Sequence, residues 1–189
     1  VGLDGFRASG NRASPHVKVS RSRWVATGVN ENYYRVAPAA GVNASALDLG
    51  QWLAANMGYR PEVVRPELVA DLTQKRVHTA RELRRKGWRD FLSDAHYGLG
   101  WRIYTIDGHD LITHSGWVRG FVAQVAYSRE YDTGLALLLN AESSAISDLS
   151  IHFWREVLAK APLVADQSPA RRDGLSAAAA HTTSTAVPD

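Results

Sequence analysis

The apolar positions along this chain fall into three regimes. Over 1–37 no period is sustained: Gly, Ser, Asn and Pro are mixed with the scattered aromatics Phe6, Trp24, Tyr33 and Tyr34, which reads as irregular connection. A loop of that length is unusual in a compact domain, so the segment is expected to wrap around something the chain lacks. From Ser45 the spacing becomes helical. Leu49, Trp52, Leu53, Asn56 and Met57 share one face, Ser45 and Asp48 make an approximate capping box, and Gly58 supplies the stop. A second helix is predicted from Pro66, burying Leu68, Val69 and Leu72. A third is predicted over 79–93, with Leu83, Phe91 and Leu92 as its meagre apolar content.

At Tyr97 the period changes to two. Leu99, Trp101 and Ile103 alternate with Gly100, Arg102 and Tyr104, Asp107-Gly108 signals a tight turn, and 111–116 reads as the return strand. Further strands are predicted over 121–127 and 135–139, joined by a turn at 129–134. The last run is apolar at every position, so both of its faces should be covered. A final helix over 146–160 sets Ile146, Leu149, Phe153, Val157 and Leu158 on one side, with Trp154 at its edge. The sum is an α+β fold, an antiparallel β-sheet flanked by helices, occupying 1–165. An Ala-, Ser- and Thr-rich stretch over 166–189 has no apolar period and reads as a disordered tail.

Composition narrows the function classes. With 189 residues the chain can bury one sizeable core, and it has no apolar run near the ~20 residues that a membrane-spanning helix needs. The absence of cysteine removes disulfides, thiolate zinc sites and a cysteine nucleophile. The net charge of +3 is too small to argue for nucleic acid. Locally, seven basic residues lie between Lys75 and Asp90 against two acidic ones, Glu82 and Asp90. Without aromatic interleaving this reads as a solvated helix face, and no nucleic-acid partner is expected.

Three constellations could carry chemistry. A serine nucleophile elbow around Ser115 fails because Thr113 stands where the first glycine must be. A metal site from His96, His109, Asp110 and His114 lacks any recognised ligand spacing, so no metal and no cofactor are expected. The third is His114-Ser115-Gly116, followed by Trp117, Gly120 and Phe121 at the end of a strand in a meander. The aromatics Trp24, Tyr33, Tyr34 and Trp101 could line a cleft, but such residues are more often packing, and no role is assigned to them.

The third constellation sits in an order of motifs that resembles a known family. Pro38-Ala-Ala-Gly-Val-Asn-Ala-Ser45, then Asp48-Leu-Gly-Gln-Trp-Leu53, then Tyr97-Gly-Leu-Gly-Trp101, then His114-Ser-Gly116 with Gly120-Phe121, then 134–140, is similar to the C-terminal half of a β-lactamase-related serine hydrolase. Within that penicillin-binding-protein-like superfamily the resemblance is greatest to the class C, AmpC-like branch, which includes esterases and D-alanyl-D-alanine peptidases. In such proteins a serine of S-x-x-K attacks a carbonyl, the lysine and the tyrosine of Y-x-N move protons, and a K-T-G strand holds the substrate. The resemblance implies that His114, Ser115 and Gly116 bind a small-molecule acyl substrate. Ser115 would bond its carboxylate, Gly116 would admit it to the strand, and the Trp117 backbone N–H would be an oxyanion-hole donor.

Histidine replaces the usual lysine at position 114. An ordinary imidazole carries only partial charge at neutral pH, so an anionic substrate would be held less strongly than by lysine. That favours esterase or peptidase chemistry over efficient β-lactamase chemistry.

The departure from the pattern is larger. No serine begins S-x-x-K, Ser14 to Lys18 being one residue too long, and no tyrosine begins Y-x-N; Ser9-Gly-Asn11 imitates a variant without a nucleophile upstream. The chain is therefore expected to have no catalytic residue of its own and to be inactive in isolation. One expectation is a fragment, with no initiator methionine and no signal peptide visible, whose partner is the missing N-terminal part of the same domain. The alternative is a non-catalytic, ligand-binding pseudoenzyme module. Members of the family often work in the periplasm or outside the cell, but no sequence feature here sets the compartment.

Overall fold

The computed structural model describes residues 2–160; the tail expected over 166–189 lies outside the described residues. In chain order the elements begin with α1 (Leu3–Ala8), the hairpin β1 (His16–Ser20) and β2 (Arg23–Ala26), a 3-10 turn (Glu31–Val36), α2 (Ala37–Ala40), α3 (Ala46–Met57) and α4 (Pro66–Leu72). There follow β3 (Val77–His78), β4 (Asp94–Tyr97), β5 (Arg102–Ile106), β6 (His109–Val118), β7 (Phe121–Ser128), β8 (Thr133–Leu139) and α5 (Ala145–Leu158). Strands β3 to β8 form one six-stranded antiparallel sheet in sequence order, while β1 and β2 form a separate hairpin whose His16 makes a parallel bridge to Ala141, just past the end of β8. The fold is the expected α+β arrangement, an antiparallel sheet with helices on its faces.

Helix α3 forms where its pattern places it. The Ser45 side chain accepts from the Asp48 N–H while Asp48 accepts from the Ser45 N–H, and Gly58 closes the helix in the left-handed conformation. Leu53 and Asn56 are buried, and the Asn56 amide donates back to the Trp52 carbonyl at 2.8 Å. In α4 only Val69 is buried and Leu68 stays exposed. The Asp107-Gly108 turn has positive φ at both central residues, the primed geometry that fits the twist of a two-residue hairpin.

Two cores lie on opposite faces of the sheet. On one, Leu53 of α3 meets Trp101, Ile103, Ile112 and Tyr127, with Met57, Val125 and Ala136 packed alongside. On the other, Ile151 and Trp154 of α5 meet Trp88, Tyr104, Ile106, Leu111 and Ala126, with Leu135 packed alongside. Each large side chain buried in this way contributes about 1.5–3 kcal/mol. Burial pushes the Tyr104 hydroxyl well above its ordinary range, helped by the bond it donates to Glu82, and burial raises Tyr127 as well.

Four expectations need correction. The segment 79–93 is not a helix but a 3-10 turn (Glu82–Arg84) among irregular turns. Gly87 at φ +85° breaks the segment, and its large apolar residues other than Leu83 gather after that break, with Trp88 and Leu92 buried and Phe91 packed beside them, so no helical face runs its length. The basic run there is accordingly irregular surface. Residues 1–37 are not all irregular: Val17 and Val19 alternate with Lys18 and Ser20 across a five-residue strand too short to announce a period. The strand predicted from Tyr97 is interrupted. Strand β4 ends there, the Gly98 N–H donates to the Trp101 carbonyl at 2.8 Å, and β5 begins at Arg102. A Cβ on Gly98 would collide with the Leu72 carbonyl, so the turn needs glycine. In α5 the buried stripe is Ile146, Ser150, Ile151 and Trp154, while Leu149 is exposed. Trp154 is at the centre because its indole is the largest apolar surface the helix can bury.

The run over 135–139 is only partly as expected. Helices α3 and α5 do pack on the two faces of β8, yet none of its residues is fully buried and Leu138 is exposed. The cause is position: β8 is the last strand of the sheet, and among the described residues nothing pairs with its outer flank.

Candidate functional site

The tripeptide His114-Ser115-Gly116 lies in the second half of β6. Strand β6 is ten residues long and its neighbour β5 only five, so pairing with β5 runs from Ile106↔His109 to Arg102↔Thr113 and stops. Beyond Thr113 the strand keeps β7 on one side, through His114↔Val125, Ser115↔Gln124, Gly116↔Ala123 and Trp117↔Val122. Its other flank is an open border, because the glycine turn at 98–100 has carried the chain away.

The register decides which backbone groups that border presents. Ile106 and His109 close a two-residue hairpin, and Val118 and Phe121 close another. Such closing pairs bond to each other, so Val118, and with it Gly116 and His114, turn their N–H and C=O toward β7. Ser115 and Trp117 turn theirs toward the open border. Side chains alternate the other way: His114 shares the α3 face with Val125 and Ala136, while Ser115 and Trp117 project on the α5 face. His114 and Ser115 are half-buried, Gly116 is exposed, and Trp117 is 63% exposed.

Two sets of contacts hold this segment. The His114 Nδ1 lies 2.6 Å from the Gly100 carbonyl oxygen. Trp101, the next residue, is buried and stacked on Trp52 at 5.2 Å, and the Leu99 N–H donates to the Leu72 carbonyl, which together fix the Gly100 carbonyl. At the far end, the Arg119 N–H donates to the Tyr33 hydroxyl at 3.2 Å and the Gly120 N–H to a Glu142 carboxylate oxygen at 3.1 Å. The Gly120 carbonyl accepts from the His16 N–H, and a Cβ on Gly120 would run into Pro15. The N-terminal segment thus braces the β6–β7 turn. Sequence reasoning missed Pro15, His16, Tyr33 and Glu142 as supports; the one available signal was Gly120, whose lack of a Cβ makes room for another part of the backbone.

The remaining candidates are scattered. His109 pairs with Glu130, Asp110 with Lys75 at 2.8 Å, and His96 lies 3.5 Å from Asp94. Among the described residues no group of three or more His, Asp or Glu side chains could hold a metal ion. Trp24 donates its indole N–H to the Glu142 carbonyl and Tyr34 donates to Asn43, so both are engaged in packing the N-terminal segment. Ser9 donates to the Asn11 carbonyl at the end of α1. Two surface hollows lie elsewhere, one between α3 and β8 lined by Gly50, Leu53, Met57, Gly134 and Ala136, the other along 78–85. The open border of β6 thus offers two outward backbone N–H groups, with the Ser115 hydroxyl and the His114 imidazole on opposite faces of the strand.

Among the described residues no helix is long and apolar enough to cross a membrane. Comparison with protein families gives a match to the Beta-lactamase family over residues 3–158. No curated protein and no solved structure matches the chain.

Proposed function

This chain belongs to the beta-lactamase family, and from that premise we propose that it is the C-terminal portion of a serine hydrolase domain of the class C, AmpC-like branch. In this reading 1–165 is the domain portion and the residues after it are an appended tail. The nucleophilic serine, its lysine and the proton-moving tyrosine belong to an N-terminal portion that is the chain's partner. The observation that carries the reading is β8: seven residues sandwiched between α3 and α5, with one long flank lacking any strand neighbour among the described residues. Gly134, Ala136 and Leu138 turn their N–H and C=O groups toward that flank by the register of β7 with β8. A long, uncharged strand with an unpaired flank has none of the features that normally blunt a sheet edge, which supports a further strand there.

The chemistry follows from the border of β6. A substrate acyl group lies along the strand, where Gly116 leaves room for it. The Ser115 hydroxyl bonds its polar substituent, and the outward Trp117 N–H points to where negative charge develops as the absent serine adds to the carbonyl. That addition forms a serine-oxygen-to-carbon bond and places the electron pair on the carbonyl oxygen; the serine proton passes by way of the absent lysine and tyrosine to the leaving group, which departs as an alcohol or amine when the carbonyl re-forms. With histidine at 114 in place of a permanently charged lysine, esters and peptides fit better than anionic β-lactams.

The test is covalent labelling with a fluorophosphonate. The protein carrying its upstream sequence should be labelled on a serine outside this chain, and the 189-residue chain alone should stay unlabelled. Labelling of the isolated chain overturns the reading. A sharp, reversible melting transition of the isolated chain, with acyl compounds bound and not turned over, would replace it with the pseudoenzyme module.

A further inference from the structure

Resting on the reading of β6 as the ligand-holding strand, we infer that His114 makes the site select neutral acyl compounds bearing an N–H or O–H donor, such as amides and hydroxy esters, over free carboxylates. The Gly100 carbonyl oxygen can only accept a hydrogen bond, so the 2.6 Å contact requires the proton to reside on Nδ1. In the neutral ring this leaves Nε2 as a bare lone pair, an acceptor. A lysine at the same position would present three donors and no acceptor. Histidine in this setting is therefore not a weaker lysine; it has the opposite hydrogen-bonding character.

The tautomer is held from outside the ring. The Gly98 and Leu99 N–H groups are bonded to Trp101 and Leu72, Trp101 is clamped on Trp52, and Gly98 has no room for a side chain. The Gly100 oxygen thus cannot swing away to tolerate a bare Nδ1, and moving the proton to Nε2 would set two lone pairs against each other at hydrogen-bond distance. Among the described residues no hydrogen-bond partner occupies Nε2, so it is open to a ligand. A carboxylate approaching it meets a lone pair, whereas an amide or hydroxyl donates to it.

The experiment uses nitrogen-15 histidine labelling of the protein at pH 8, above the ordinary imidazole range. The resonances are assigned with His114→Gln, and the probes are phenylacetamide and phenylacetate. The expected result is a protonated Nδ1 and a bare Nε2 in the ligand-free protein, a shift of Nε2 on adding phenylacetamide, and binding of phenylacetate weaker by at least about tenfold. His114→Lys should invert that order. A proton found on Nε2, or phenylacetate bound as tightly as phenylacetamide by the unaltered protein, overturns the inference whether or not the variants fold. If the unaltered protein treats the two probes alike while His114→Lys prefers phenylacetate, the tautomer-based selection falls and the ligand-holding strand stands. If neither probe binds either protein, the ligand-holding reading falls, and the inference with it.

Discussion

The two edges of the six-stranded sheet are built on opposite principles. At one edge β3 has two residues, Val77 is 60% exposed, and the charged Lys75 and Arg76 stand just before it. The Arg76 and Thr79 N–H groups still bond to the carbonyls of Tyr97 and Ala95, after which the pairing simply ends. Shortness and charge are the usual means of stopping another strand from adding. At the other edge β8 has seven residues, no charge, and a helix on each face. Nothing in it discourages a further strand. One edge carries the features of a terminus and the other carries none of them, and the proposed reading of the domain rests on that asymmetry.

The largest effect that bears on this contrast comes from the core the two edges share. Trp154 is fully buried against Trp88 and Tyr104, next to Leu135 of β8. Trp154→Ala should cost about 3–5 kcal/mol in denaturant unfolding. Amide exchange should rise at β3–β4 and at β8 together, because one cluster supports both. Trp154→Phe should cost far less, since the indole N–H it removes is buried without a partner. A loss confined to β8 would mean that the edges are independent, and the contrast between them would carry no information about the domain.

How much of this was legible in the sequence depends on the kind of signal. Helix α3 was legible because a cap, a stripe and a stop all agree within fourteen residues, Ser45 to Gly58. The β5–β6 hairpin was legible from its alternation and from Asp107-Gly108. The cover on both faces of β8 was legible from the unbroken apolar run, because a strand with no polar face must be covered on both sides. What the sequence hid was non-local. The break between β4 and β5 depends on a close approach of Leu72 to Gly98, and the bracing of the β6–β7 turn depends on Pro15 and His16, over a hundred residues away. The stripe of α5 was misplaced because Trp154 competes with Leu149 and Phe153 for one face, and only the opposite core decides which wins. The tripeptide was legible as residues, but that Ser115 and Trp117 aim their N–H groups outward follows from two hairpin registers that no motif encodes.

A smaller effect tests the open edge directly. Leu138 lies on β8 with 39% of its surface exposed and its backbone groups turned outward. Leu138→Lys should change unfolding stability by no more than about 0.5 kcal/mol. It should nevertheless reduce the fraction of chain that self-associates in sedimentation or light scattering, since a charge on an edge strand opposes strand addition. Val77→Lys, the same change at the closed edge, should leave self-association where it was. Equal responses at the two positions would show that both edges are terminated alike.

The smallest effect concerns α3, which covers one face of β8 and is held at its start by Asp48. The Ser45 N–H and hydroxyl both donate to the Asp48 carboxylate, and these bonds hold its pKa below the usual aspartate value. A carboxyl whose pKa is lowered by folding binds its proton more readily in the unfolded chain. The stability it contributes is therefore present above the unfolded value of ~3.9 and disappears as pH falls through the folded value. Because Asp48 is fully exposed, the contribution is small and confined to the first turn of α3. Below about pH 4 the amides at the start of α3 should exchange faster. Exchange in Gly134 and Ala136 of β8, which face α3 across the hollow, should follow. In Asp48→Asn an acceptor remains for Ser45 but no charge can be lost, so the acid-dependent part of that exchange should vanish at both places. If it vanishes in α3 and persists in β8, the helix does not shield the open strand, and the cover on that face of β8 must come from the chain that is proposed to complete the sheet.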